Sequence, residues 1–95
     1  MSLQNAELPS MTELNDGTRQ RLRQLRESLG MSRPKFAEQL GIPPTTLKNY
    51  ELGYREIGGG LLLRIIATPG LSDFVVWLMK GSLIIPEQIC PTHPN

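Results

Sequence analysis

Between Ser32 and Gly53 the chain reads SRPKFAEQLGIPPTTLKNYELG, two short helical periods separated by a glycine. Phe36, Ala37 and Leu40 share one side of the first segment, and Leu47 and Tyr50 share one side of the second. Apolar residues three and four apart line a helix face that packs inward. Gly41 stands just past the last periodic residue, the position that favours a left-handed stop. Each segment is too short to bury its apolar side alone. The pair therefore demands further helices around it, which is the strongest constraint on the fold.

The flanking chain offers three. From Thr18 to Leu29 the pattern is helical, with Leu22, Leu25 and Leu29 on one stripe, Asp16 or Thr18 as cap and Gly30 as stop. Leu61–Ala67 is a short apolar helix after the run Gly58-Gly59-Gly60, ended by Pro69 and Gly70. Ser72 caps a last helix, Asp73–Lys80, which turns Val75, Leu78 and Met79 inward with Phe74 or Trp77, and Gly81 closes it. Residues 1–17 lack a sustained apolar period and are expected to be a flexible segment, with a turn over Ser10–Leu14 from the Ser10/Glu13 capping box. The tail, 82–95, holds Ile84, Ile85 and Ile89 among three prolines: too apolar for a free tail, too broken for a helix, and a candidate to pack on the domain or on a dimer partner. The predicted fold is all-α: five helices over residues 18–81.

Five aromatics in 95 residues make the core aliphatic. No apolar run approaches the ~18 residues of a membrane span, and the chain does not open on a secretory leader. A single cysteine, Cys90, cannot form an internal disulfide, which fits a reducing, cytoplasmic setting.

The net charge of +1 conceals a division. Residues 1–17 carry three acids and no base, a balance of −3; residues 18–55 carry eight bases and three acids, +5; residues 56–95 carry two bases and three acids, −1. Positive charge thus belongs to the paired helices and their lead-in, the footprint of a polyanion-binding surface. A solvated face would carry the same charges. Arg19, Arg23 and Arg26 form a stripe at i, i+4 and i+7, and like charges so spaced repel; phosphates would offset that cost. Arg21 falls on another side and reads as solvated. Ser32 caps the next helix, so Arg33 and Lys35 sit at a helix N-terminus, against the dipole, where exposed N–H groups suit an anion.

Pro43 and Pro44 belong before or at the first turn of the helix running Thr45–Leu52. On a 100° wheel Thr45, Lys48, Asn49 and Leu52 cluster outward, opposite Leu47 and Tyr50. Asn can pair bidentately with adenine, and Thr offers a methyl and a hydroxyl to base edges. An ordinary surface helix has a similar face. Gly58-Gly59-Gly60 lacks the downstream Lys-Ser/Thr of a phosphate loop. Cys90 and His93 are spaced C-x-x-H, short of a metal site without further ligands.

Taken in order, LRESLGMS, SRPKFAEQLG-IPP-TTLKNYELG with Ala37, Gly41 and Leu47, the Tyr50-Glu51-x-Gly53 ending and WLMKG resemble the lambda-repressor/Cro-like (XRE-type) helix-turn-helix DNA-binding family, and RIIATPGLSDFVVWLMKG resembles small bacterial prophage regulators. The resemblance covers about residues 18–81. It implies that the helix at Thr45–Leu52 enters the major groove, with Pro44, Thr45, Lys48 and Asn49 at base-reading places. It implies phosphate contacts by Arg33 and Arg55, which join Lys35, Arg19 and Arg23 as candidates. Pro44 departs from the polar residue many relatives use, and Leu52 stands where several carry a phosphate-binding Asn. Arg26 and Glu51 match a buried ion pair that ties the first helix to the recognition helix, which makes Arg26 scaffold.

The expected function is a non-enzymatic, sequence-specific transcriptional regulator of repressor type. It would bind a pseudo-palindromic operator in double-stranded DNA as a homodimer, with Val76, Met79, Ile84 and Ile85 as interface candidates. No nucleophile–base–acid set, cofactor, metal or small-molecule ligand is evident. The alternative is an antitoxin-like or protein-interaction module of the same fold, working through the apolar tail and the Val76/Met79 side.

Overall fold

The computed structural model of the chain describes residues 8–80. Gly81, the tail with Ile84 and Ile85, and the Cys90/His93 pair lie outside the described residues. Within them stand five α-helices and no strand: α1 (Met11–Ser28), α2 (Arg33–Leu40), α3 (Pro44–Leu52), α4 (Gly59–Ala67) and α5 (Val75–Lys80).

α1 starts at Met11 rather than Thr18, because the Ser10/Glu13 capping box closes completely. The Glu13 N–H donates to Ser10 Oγ at 3.1 Å and the Ser10 N–H to Glu13 Oε1 at 2.9 Å. Residues 11–17 are thus helix, and Gly17 costs about 1 kcal/mol inside it. A tertiary bond holds this extension: the Ile57 N–H donates to Asn15 Oδ1 at 2.9 Å. Leu22 and Leu25 are buried as expected, but Leu29, past the last helical residue, is exposed.

α2 keeps its expected bounds, with Ser32 Oγ accepting the Lys35 N–H at 3.3 Å, and it buries Phe36, Ala37 and Leu40. Gly41 takes φ +74°, which lets the Ile42 N–H reach back to the Ala37 carbonyl at 3.0 Å. The chain then enters α3 directly. Pro43 is the N-cap and Pro44 the first helical residue, with the Pro43 carbonyl accepting the Thr46 and Leu47 N–H groups at 3.0 and 3.2 Å. α3 buries Leu47, Tyr50 and Glu51.

α4 includes Gly59 and Gly60, expected as loop; only Leu61 and Ile65 are buried, while Leu63 and Ile66 are exposed. The last helix differs from its prediction in form. Ser72–Phe74 is a single 3₁₀ turn without a side-chain cap, and α5 proper begins at Val75. Leu78 is fully buried and Met79, expected inward, is 51% exposed.

Arg21, expected to be solvated, clasps α5. Its Nε donates to the Leu78 carbonyl at 2.8 Å and Nη2 to the Met79 carbonyl at 3.3 Å. These carbonyls lie in the last turn, where no intrahelical donor exists. Burial against α5 lowers the Arg21 pKa from its ordinary value.

Candidate nucleic-acid interface

The outward side of α3 presents Pro44, Thr45 and Lys48 exposed and Asn49 half-buried. None of the Thr45, Lys48 or Asn49 side chains hydrogen-bonds another described residue. Their donors and acceptors remain available to a ligand. At the far end the Asn49 carbonyl accepts the Tyr54 and Arg55 N–H groups at 2.9 and 3.2 Å, so the following loop folds back on the helix. Arg55 then lies over the Tyr50 ring, 5.2 Å from its centroid. Beside it Tyr54 is 78% exposed, an aromatic that the sequence pattern does not single out.

Behind this face is a charged knot. The Glu51 side chain is 0% exposed and holds Arg26 bidentately, Nε to Oε2 at 2.7 Å and Nη2 to Oε1 at 3.0 Å. Arg26 Nη1 also donates to the Met31 carbonyl at 3.0 Å, which ties the α1–α2 turn into the knot. The hydrogen bond with Glu51 raises the Arg26 pKa above its ordinary value, against the opposing effect of burial. The anticipated ion pair is present, and it has a third member. Arg33 Nε meets Glu51 Oε1 at 2.9 Å. One carboxylate thus joins α1, α2 and α3, and the three side chains sum to a single positive charge at the N-terminus of α2.

Arg19 closes the C-terminal end of α3. Its Nη1 donates to the Glu51 carbonyl at 3.0 Å and its Nε pairs with Asp16 at 2.9 Å. The guanidinium lies across Gly53, at φ +84°, where a Cβ would stand 3.0 Å from Arg19 Nε. Arg23 pairs with Glu27 at 2.9 Å on the exposed side of α1. Of the five phosphate candidates, then, Arg19, Arg23 and Arg33 already have acidic partners within the chain. Lys35 and Arg55 meet no carboxylate within 4 Å among the described residues. Arg64, not among the candidates, lies against the α2–α3 turn, its Nη1 3.1 Å from the Cβ position of Gly41.

Sequence spacing marks Asp16–Arg19, an i, i+3 pair, once α1 is extended back to Met11. Nothing local marks Arg33 for Glu51 or Arg21 for Leu78, which are tertiary pairings. Val76 and Met79 are both about half exposed on α5. No cluster of three or more potential metal ligands occurs among the described residues, and none of their helices is long and apolar enough to cross a membrane.

A two-helix unit joined by a left-handed glycine, locked from behind and bare in front, defines a helix-turn-helix protein. A family model described as "Helix-turn-helix" matches residues 22–74, more than half of the chain, and the chain belongs to that family. It is also similar to "Repressor protein C" of Escherichia phage P2, with 33% identity over 69 residues that span 70% of this chain and 69% of the relative. No solved structure gives a significant match.

Proposed function

We propose that this chain is a sequence-specific, DNA-binding transcriptional regulator of repressor type that acts without catalysis. The observation that carries this reading is α3 itself. Its outward side chains are unspent, while Glu51, on its buried side, is held by arginines from α1 and α2. A rigid helix with free polar groups on one face is what groove reading requires. Thr45 and Asn49 read base edges, Lys48 adds charge, and Pro44 offers only apolar contact, for instance to a thymine methyl. Lys35 and Arg55 hold phosphates on either side, and Arg33 contributes the surplus charge of the Glu51 knot. The similarity to a phage repressor supports the regulatory role.

The functional unit is a homodimer joined through the Val76 side of α5, reading two half-sites about one helical turn, ~34 Å, apart. Footprinting on the DNA around its own gene tests operator, symmetry and spacing together. A dimer that neutralises ~6–8 phosphates gives a log K against log salt slope of about −5 to −7. The exposed apolar side chains of α4 and α5 favour a second reading, a module that works through protein contact. A flat salt response on that DNA would put this second reading first.

A further inference from the structure

A cavity of about 210 Å³ opens where the start of α1, the loop before α4, and the end of α5 converge. Its apolar lining is Met11, Leu14, Ile57, Leu62 and Met79. Two of its polar neighbours are already satisfied within the chain. Asn15 Oδ1 accepts the Ile57 N–H at 2.9 Å, and the Thr18 hydroxyl donates to the Leu14 carbonyl at 3.1 Å. Glu56, exposed to solvent, completes the lining, and the rest of what remains to be covered is hydrocarbon. The Met11 and Leu14 side chains are exposed although they sit on a capped, tertiary-anchored part of α1.

Its place in the chain says what covers it. Met79, one of the lining residues, is next to the last residue of α5. Arg21 fixes that end of the helix to α1 through the Leu78 and Met79 carbonyls, so the chain leaves α5 at the rim of the cavity. Residues 81–95 follow, and Leu83, Ile84 and Ile85 are their first large apolar side chains. Five residues of extended chain reach about 17 Å, enough to cross the cavity from Lys80. The volumes agree as well. A cavity of ~150 Å³ takes benzene, with six carbons, so one of this size takes about eight carbons, the content of two isoleucine side chains.

We propose that the cavity is the seat of this chain's own C-terminal segment, with Ile84 and Ile85 inserted between α1 and α4 and Pro86 ending the insertion. The short tether favours the chain's own tail over that of a second copy, because a linker of a few residues gives an effective concentration of order mM. Seated there, Ile84 and Ile85 complete the domain, and Val76 is left to meet a partner. None of this depends on DNA binding.

The test is cross-linking in the full chain, without DNA. In a Cys90→Ser background, Leu14→Cys is combined with Ile85→Cys, and separately Met11→Cys with Ile85→Cys, to allow for either depth of insertion. Mild oxidation is expected to give, in at least one pair, a disulfide within a single chain, seen as a faster monomer band on a non-reducing gel. A dimer-sized band in both pairs overturns the proposal in favour of tail exchange between copies, and no cross-link in either overturns it outright. In parallel, Ile84→Asp with Ile85→Asp is expected to lower Tm by about 5–10 °C; an unchanged Tm also overturns it.

Discussion

The helix-turn-helix unit and the α4–α5 end of the molecule solve the same problem differently. Around α3 the buried side is part apolar and part ionic, with Leu47 and Tyr50 beside a fully enclosed Glu51, and the outward side is polar and unspent. At α4 and α5 the buried side is wholly apolar, Leu61, Ile65 and Leu78, and apolar side chains also face outward, with Leu63, Ile66, Val76 and Met79 exposed beside Arg64 and Lys80. A buried charge knot is a poor way to gain stability and a good way to fix relative orientation. An apolar face, by contrast, can meet whatever covers it without demanding one angle. On the proposed function, the difference divides the labour: one region would read a polar ligand with fixed geometry, and the other would supply adhesive surface.

The hardest way to break this contrast is to empty the knot. Glu51→Ala leaves Arg26 and Arg33 without their shared carboxylate, and is expected to cost ~3–5 kcal/mol in urea unfolding. Glu51→Gln keeps the shape and some hydrogen bonds, and should cost less. If Glu51→Ala costs under ~1 kcal/mol, the knot is not what orients α3.

Next in size is Asn49→Ala, which touches only the reading face. It should lose ~1–3 kcal/mol of affinity at particular base pairs of the operator. Random DNA and Tm should be unaffected. Equal weakening on random DNA would mean that Asn49 holds phosphate and does not read bases.

For the adhesive end, Val76→Asp places a charge in the proposed dimer contact. Dimer dissociation measured by sedimentation should become at least about tenfold easier, equivalent to ~1.4 kcal/mol, while the fold persists, because the side chain is half exposed. An unchanged dimer would move the interface elsewhere on the apolar surface.

Much of the fold is legible in the residues themselves, and the misreadings share a cause. The α2–α3 unit is readable because its signals are local: Ser32 as cap, Gly41 as stop, and Phe36, Ala37, Leu40 and Leu47 in period. The Arg26–Glu51 pair is legible only through the family resemblance. Periodicity starts α1 too late, because Gly17 stands against the capping box at Ser10 and nothing local records the tertiary bond from Ile57 to Asn15 that favours the longer helix. Charge misleads most. Arg19, Arg21 and Arg33 look alike in sequence as exposed cations, yet one closes α3, one closes α5 and one shares Glu51. A guanidinium can reach partners dozens of residues away, and no periodicity records that reach.

Lys35 separates the cations that remain. It has no carboxylate partner among the described residues. Lys35→Ala should therefore weaken operator and random DNA alike. The salt slope should become shallower by ~0.9 for each phosphate that is no longer neutralised, about two in a dimer. Stability should stay within about 0.5 kcal/mol.

Arg23 should give the smallest effect. Its partner Glu27 lies 2.9 Å away with both side chains about half exposed, and an exposed i, i+4 pair is worth ~0.3–0.5 kcal/mol. So weak a pair could yield Arg23 to a phosphate at little cost, but Glu27 would remain beside the contact and repel the same phosphate. Arg23→Ala is therefore expected to leave the salt slope unchanged and to cost no more than about 0.5 kcal/mol of stability. Glu27→Gln is the sharper companion: if Arg23 lies near the backbone, removing the acid should tighten binding to all sequences, and if it does not, binding should stay the same.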